Sequence, residues 1–218
     1  MIFAIVHYNT PELTTCLCGS IKKFHLNSHI IIFDNSDKKP FNKAELFDAE
    51  YLDNTKQQII NFQHILKPKT KSMNNYGSAK HCLSVDYLIH NLSYDDFILL
   101  DSDILFTKPI DFIDSNYIAI GTYECFPRQK DRLLPFITYC NRKKIIENNI
   151  NYFDNNRMSC LSLGPIYDTG ASFLEDILLK KLPIKYIDYK KYIIHFKNGS
   201  WSNKSYKNWL LENKKFWF

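Results

Sequence analysis

Two carboxylates one residue apart, Asp101 and Asp103, follow directly on the apolar run Phe97-Ile98-Leu99-Leu100. A strand buried on both faces needs such a run, but it has no use for the carboxylates that end it. Side chains alternate along a strand, so Asp101 and Asp103 are expected to point the same way where it stops. Two hard oxygen ligands at a strand terminus can hold a divalent cation, and that cation can grip a diphosphate. Asp-x-Asp also occurs in turns and solvated loop ends; its place after a buried strand favours the metal.

The elements that must position this pair alternate along the first half of the chain. Residues 2–8 read as a strand. Thr10-Pro11-Glu12 opens a helix to about residue 24, with Thr10 as its cap and Pro11 in its first turn. Residues 29–33 read as a second strand, ending at the polar turn Asp34-Asn35-Ser36-Asp37. Residues 42–53 are weak helix or loop, and 58–64 a third strand. A helix over 77–91 offers the apolar face Ala79, Cys82, Leu83, Val85, Tyr87 and Leu88, and 97–100 is the fourth strand. This order predicts an α/β fold with a mostly parallel central sheet flanked by helices. Such sheets bind ligands beyond the carboxyl ends of their strands, so Asn9, Asp34, Asp101 and Asp103 are expected to meet in one crevice.

The second half is less regular. Residues 117–123 read as a fifth strand, 124–132 as a basic loop, and 133–148 as a helix broken or started at Pro135. Residues 149–164 are Asn-rich and irregular. The turn Tyr167-Asp168-Thr169-Gly170 precedes a helix over 171–181, and 192–196 is a short last strand before a tail of aromatics and lysines. No repeat or linker appears, so one domain is expected, with residues 1–123 and 124–218 as its two halves.

Bulk properties agree with a globular chain: 218 residues, 45% hydrophobic and 15% aromatic. No apolar run reaches transmembrane length, and residues 1–6 lack the basic region and length of a signal peptide. The expected location is cytoplasmic. Six scattered cysteines read as reduced structural thiols, and three Asn-x-Ser sequons, at Asn91, Asn198 and Asn203, as chance. The net charge of +5 is modest. No nucleic-acid motif accompanies it, so nucleic acid is not expected as a partner; an anionic nucleotide or an anionic membrane surface is.

Four signals in order resemble a known family: Tyr8-Asn9 after the first strand, Asp34-Asn35-Ser36 after the second, Asn75-Tyr76-Gly77 before a helix, and Leu99-Leu100-Asp101-Ser102-Asp103. Together they resemble the nucleotide-sugar half of GT-A-fold glycosyltransferases, in particular glycosyltransferase family 2 of bacterial surface-polysaccharide synthesis. The likeness covers residues 1–123 and thins beyond, where the acceptor regions of that Rossmann-like fold vary. It implies transfer of a sugar from a UDP- or GDP-linked donor to a glycan or lipid-linked acceptor. Tyr8 and Asn9 would line the base and ribose. Asp34 would accept a hydrogen bond from the base, or else form an Asx turn. Gly77 would let the backbone pass close to the donor, or simply start the helix, and His81 would lie near the diphosphate, or be an ordinary polar residue of that helix. Ser102 joins this donor set, and Asp101 and Asp103 match the metal motif, Asp103 as direct ligand.

The resemblance extends to Ile193-Ile194-His195-Phe196-Lys197-Asn198-Gly199-Ser200-Trp201, which is similar to a C-terminal His–Gly–Trp segment whose histidine completes the metal site. Mixed carboxylate and imidazole ligation suits Mn²⁺, with Mg²⁺ as the alternative. An inverting transfer also needs a base. Asp168 is the first candidate, although it also reads as a helix cap; Glu175 and Asp176 are alternatives that also read as a solvated helix face. The basic, aromatic tail and residues 128–132 would hold the protein against the inner face of a membrane, or the tail would simply dock on the protein. Two other readings stay open: a sugar-nucleotide nucleotidyltransferase, disfavoured by the lack of glycine in residues 7–12, and a non-catalytic nucleotide-binding protein of the same fold.

Overall fold

Strand β1 (Ile2–His7) is buried from Phe3 onward, as an apolar run without alternation requires when both faces of a sheet are covered. A computed structural model describes residues 1–66, 76–158, 166–196 and 206–218. After β1 come α1 (Pro11–Phe24), β2 (His29–Asp34), β3 (Ala49–Asp53), the single turn α2 (Phe62–Ile65), α3 (Tyr76–Asn91) and β4 (Phe97–Asp101). The second half adds β5 (Ile104–Phe106), β6 (Ala119–Gly121), β7 (Tyr123–Glu124), β8 (Arg132–Leu133) and β9 (Thr138–Cys140). Then follow α4 (Arg142–Glu147), α5 (Asn155–Met158), α6 (Ala171–Leu179), β10 (Ile184–Tyr186), β11 (Ile193–His195) and α7 (Lys207–Glu212).

The main sheet has the order β10-β6-β9-β4-β1-β2-β3. β1 pairs in parallel with β2 and β4, β2 with β3, and β10 with β6, while β9 runs antiparallel between β4 and β6. Alternation along β1 divides the core. Ala4 and Val6 face α3, α4 and α6 on one side; Phe3 and Ile5 face α1, β5 and β11 on the other. Side chains such as Leu99 and Leu100, each wholly buried, stabilise the fold by about 1.5–3 kcal/mol apiece.

Several expectations are corrected here. The third strand is β3, and residues 58–64 instead run through a turn into α2. Asn54 drives that exchange: it accepts from the backbone N–H of Ile59 and Ile60, curling the apolar segment inward. The helix expected over 133–148 is a strand, β9, in the middle of the sheet, followed by the shorter α4. Its buried Thr138-Tyr139-Cys140 is β-prone and is covered on both faces, which outweighs helical spacing. Strands β5 and β10 were not expected. Thr10 stands at the N-cap position of α1 without capping it, because its hydroxyl is bonded elsewhere.

The C-terminal tail is docked. Lys23 Nζ donates to the carbonyls of Lys215 (2.7 Å) and Phe218 (2.9 Å), and Trp217 packs beside the cluster of Leu13, Cys16, Leu105 and Leu210. Among the described residues no helix is long and apolar enough to cross a membrane. Residues 197–201, 75 and Cys160 lie outside the described residues.

Candidate active site

The register of the sheet brings three strand ends level. His7 lies opposite Asp34, and Val6 opposite Asp101. The loops beyond them are tied together. Thr10 Oγ1 and Ser102 Oγ share a hydrogen bond of 2.8 Å, and the Asn9 N–H donates to Ser36 Oγ at 2.9 Å. Asn9 Nδ2 donates to Asp37 at 2.6 Å, while Asn9 Oδ1 accepts from the backbone N–H of Lys38 and Lys39. Asn9 takes a left-handed φ of 55°, which asparagine tolerates better than most residues. The strand ends and loops that carry Asn9, Asp34, Asp101 and Asp103 are therefore neighbours, with Asn9 clamping the 36–39 loop.

Asp101 and Asp103 are engaged by different histidines. His81 Nε2, on α3, bonds Asp101 Oδ1 at 2.7 Å. His195 Nε2, on β11, stands 3.3 Å from Asp103 Oδ1. Because α3 and β11 cover opposite faces of the sheet, the two carboxylates are addressed from opposite sides, not from one side as strand alternation suggested. The turn at Ser102-Asp103 breaks that alternation. Phe136 stacks on the His195 ring at 4.4 Å and holds its orientation.

The chemistry of these side chains can be tested against a cation. Two atoms bound to one cation at about 2.1 Å and at right angles stand about 3.0 Å apart. The 3.3 Å between Asp103 and His195 is near that figure, so this pair fits a shared ion. Asp101 instead faces His81, and among the described residues no three His, Cys, Asp or Glu side chains form a ready-made metal cluster.

Asp168 reaches the same helix end. Ser78 and His81 are three residues apart on α3 and share a face. His81 bonds Asp101, and Ser78 Oγ donates to Asp168 Oδ1 at 2.5 Å. Asp168 Oδ1 also accepts from the N–H of Thr169, and its Oδ2 pairs with Arg132, which holds Glu124 as well. Both oxygens are thus engaged by protein donors. Gly170 makes the arrangement possible: at φ +84° its α-carbon lies against the Leu133 carbonyl, where a Cβ would collide.

Other expected residues fall differently. Asp34 is fully buried, and its oxygens accept from the backbone N–H of Ser36 and Phe41 and from the Tyr51 hydroxyl, at 2.7–2.8 Å. It builds the turn after β2 and presents no face to a nucleotide base in this structure. His7 is likewise buried, bonded to Thr14, and burial lowers its pKa. Glu175 and Asp176 do not form a solvated face. Lys130, Tyr167 and Arg157 surround Glu175, and Arg157 also pairs with Asp176 at 2.7 Å. Burial pushes the Glu175 carboxyl up, but the hydrogen bonds from Lys130 and Tyr167 and the charge of Arg157 bring it below its usual value. Gly77 lies in the first turn of α3.

Lys80 was missed by sequence reasoning. Its Nζ sits 5.3 Å from the Tyr8 ring, 5.1 Å from Phe62 and 5.5 Å from Tyr76, a cation within three aromatic rings. No carboxylate among the described residues forms an ion pair with it, and burial lowers its pKa. The signal in the sequence was its place beside His81; the rings come from three separate segments.

No family model and no curated protein sequence matches the chain. Solved structures do. The galactosyltransferase LgtC, in complex with donor and acceptor sugar analogs, superposes with a TM-score of 0.54 at 10% identity, covering 87% of this chain and 74% of that one. The bifunctional glycosyltransferase WbbM, in its apo form, matches with a TM-score of 0.52 at 12% identity over 87% of this chain and 39% of its own. The glycosyltransferase GlyE of Streptococcus pneumoniae TIGR4 matches with 0.51 at 11% identity over 98% of this chain and 49% of its own. The chain thus spans less than half the length of the last two. The parallel sheet, the carboxylates beyond β4 and these likenesses together identify the fold as that of GT-A glycosyltransferases.

Proposed function

We propose that the protein is a glycosyltransferase that moves a sugar from a UDP- or GDP-linked donor to a glycan or lipid-linked acceptor, with Mn²⁺ or Mg²⁺ bound. The observation that carries this reading is the Asp103–His195 pair at the carboxyl end of β4, in a fold shared with sugar transferases. Asp103 and His195 would hold the cation, and Asp101 would join them as a third ligand on turning away from His81. When bound, it offsets the charge that collects on the departing nucleoside diphosphate.

The chain's own groups do the rest. Tyr8, Asn9, Ser102 and Gly77 line the donor crevice, and Lys80 offers a second positive charge there. Asp34 supports the crevice from below. Asp168 holds Ser78, and through α3 the turn that carries His81, so it acts as a positioning residue in place of the expected general base. A surface-polysaccharide setting with peripheral contact to the cytoplasmic face of a membrane fits the acceptor class. The docked tail confines such a contact to exposed groups such as Leu211 and Phe218.

The test is release of nucleoside diphosphate from UDP-glucose, UDP-galactose and GDP-mannose, with and without Mn²⁺, beside a thermal-shift assay with UDP and GDP. Metal-dependent release and a matching stabilisation are expected. Stabilisation by nucleotide without release would favour the non-catalytic reading, and no response to any of them would overturn nucleotide-sugar binding altogether.

A further inference from the structure

A cavity of about 320 Å³ opens between β11 and α7. Its walls include Tyr189, Lys190, Ile194, His195, Trp209 and Asn213. That volume is at the lower end for small-ligand sites. Among the described residues its lining carries two aromatic side chains, an amide and an ammonium, and no carboxylate. Aromatic faces accept the C–H faces of sugar rings, while amide and ammonium groups donate to hydroxyls.

The walls are braced. Tyr189 packs edge-on against Phe136 at 4.9 Å, and Phe136 stacks on His195. Trp209 leans on Phe196 at 5.4 Å, and its backbone carbonyl accepts from Asn213 Nδ2 at 2.8 Å. A site held this way needs little reordering to bind.

The telling feature is a shared wall. His195 lines the cavity and also faces Asp103. A ligand in the cavity is therefore one imidazole ring away from a carboxylate of the donor crevice. We infer that this cavity is a saccharide subsite, taking a neutral or anionic sugar residue of the acceptor glycan. The word acceptor rests on the transferase reading above; saccharide binding does not.

The test uses the whole chain with lactose, maltose and N-acetylglucosamine as free sugars, read by saturation-transfer-difference NMR and tryptophan fluorescence. Saturable binding of at least one sugar is expected, weakened about tenfold in Trp209→Ala, the scale of a lost ring contact. Lys190→Ala, at an exposed position, should weaken it in the same direction and carries the test if Trp209→Ala does not fold. Undiminished binding in the folded variants, or no binding of any of the three sugars, overturns the subsite. Donor cleavage is measured on the same samples. Sugar binding without donor cleavage leaves the subsite standing and removes the transferase reading; cleavage without sugar binding does the reverse.

Discussion

His195 Nε2 stands 3.3 Å from Asp103 Oδ1 because β11 pairs antiparallel with β5 and sets His195 opposite Ile104, the residue after Asp103. The backbone repeats the link, since the Phe196 N–H donates to the Asp103 carbonyl at 2.9 Å. A strand pairing late in the chain thus delivers an imidazole to a carboxylate fixed much earlier.

That pair gives the first prediction. Asp103→Asn and His195→Ala should each abolish or severely weaken Mn²⁺-dependent nucleotide binding in isothermal titration. Asp103→Asn should keep its melting temperature within a few degrees. Normal metal-dependent turnover in Asp103→Asn would remove the metal reading.

Lys80 gives the second. If its ammonium serves the donor, Lys80→Met should raise the donor KM about tenfold or more, the scale of one charge-assisted contact. Lys80→Arg should recover part of that loss. An unchanged donor KM with a lowered melting temperature would reduce Lys80 to a packing residue among Tyr8, Phe62 and Tyr76.

Asp168 separates base from brace. As a positioning residue, Asp168→Asn should lower turnover by much less than the hundredfold or so typical of a lost general base. Ser78→Ala, which removes one of its bonds, should shift turnover and donor KM in the same direction as Asp168→Asn. A hundredfold fall in kcat at unchanged donor affinity would restore Asp168 as the base.

Gly170→Ala should be among the most damaging small substitutions. A non-glycine residue at positive φ costs about 1–2 kcal/mol, and here its Cβ would also meet the Leu133 carbonyl. A melting temperature lowered by several degrees is expected in thermal denaturation, and a value unchanged from the parent would contradict the close approach.

Acid should destabilise the protein through His25. Its ring lies between Phe3 and Phe106, each 5.0 Å away, and burial lowers its pKa to about 4. The unfolded chain, with a pKa near the ordinary 6.5, takes up this proton first, so stability falls as pH drops from about 6.5 to about 4. Burial of His7 acts in the same sense. Asp86 opposes it: burial raises its carboxyl to about 6, so its protonation favours the folded state as pH falls below that value. Melting curves across this range should flatten in His25→Phe, and an unchanged slope would exclude His25 as a source.

The amino-acid order by itself determined the parallel half of the fold. The unbroken apolar runs of β1, β2 and β4 have no stable place except between two covered faces, and Pro11 and the carboxylates after Leu100 mark their ends. Hence Asn9, Asp34, Asp101 and Asp103 were legible as residues at or just past the ends of neighbouring strands, whereas the burial of Asp34 in its turn was not. What only tertiary structure decided were elements too short to show a period. Residues 138–140 became a central antiparallel strand and 58–64 a turn leading into α2, because neighbouring strands and the Asn54 side chain supplied the hydrogen bonds that local spacing could not predict. The partners of polar groups were decided the same way. Asp34, Asp168 and Glu175 look alike as free carboxylates in a sequence. Burial in the turn after β2, the ion pair with Arg132 and the enclosure by Lys130 and Arg157 are long-range facts, and they fix which carboxylates brace the site and which remain to serve it.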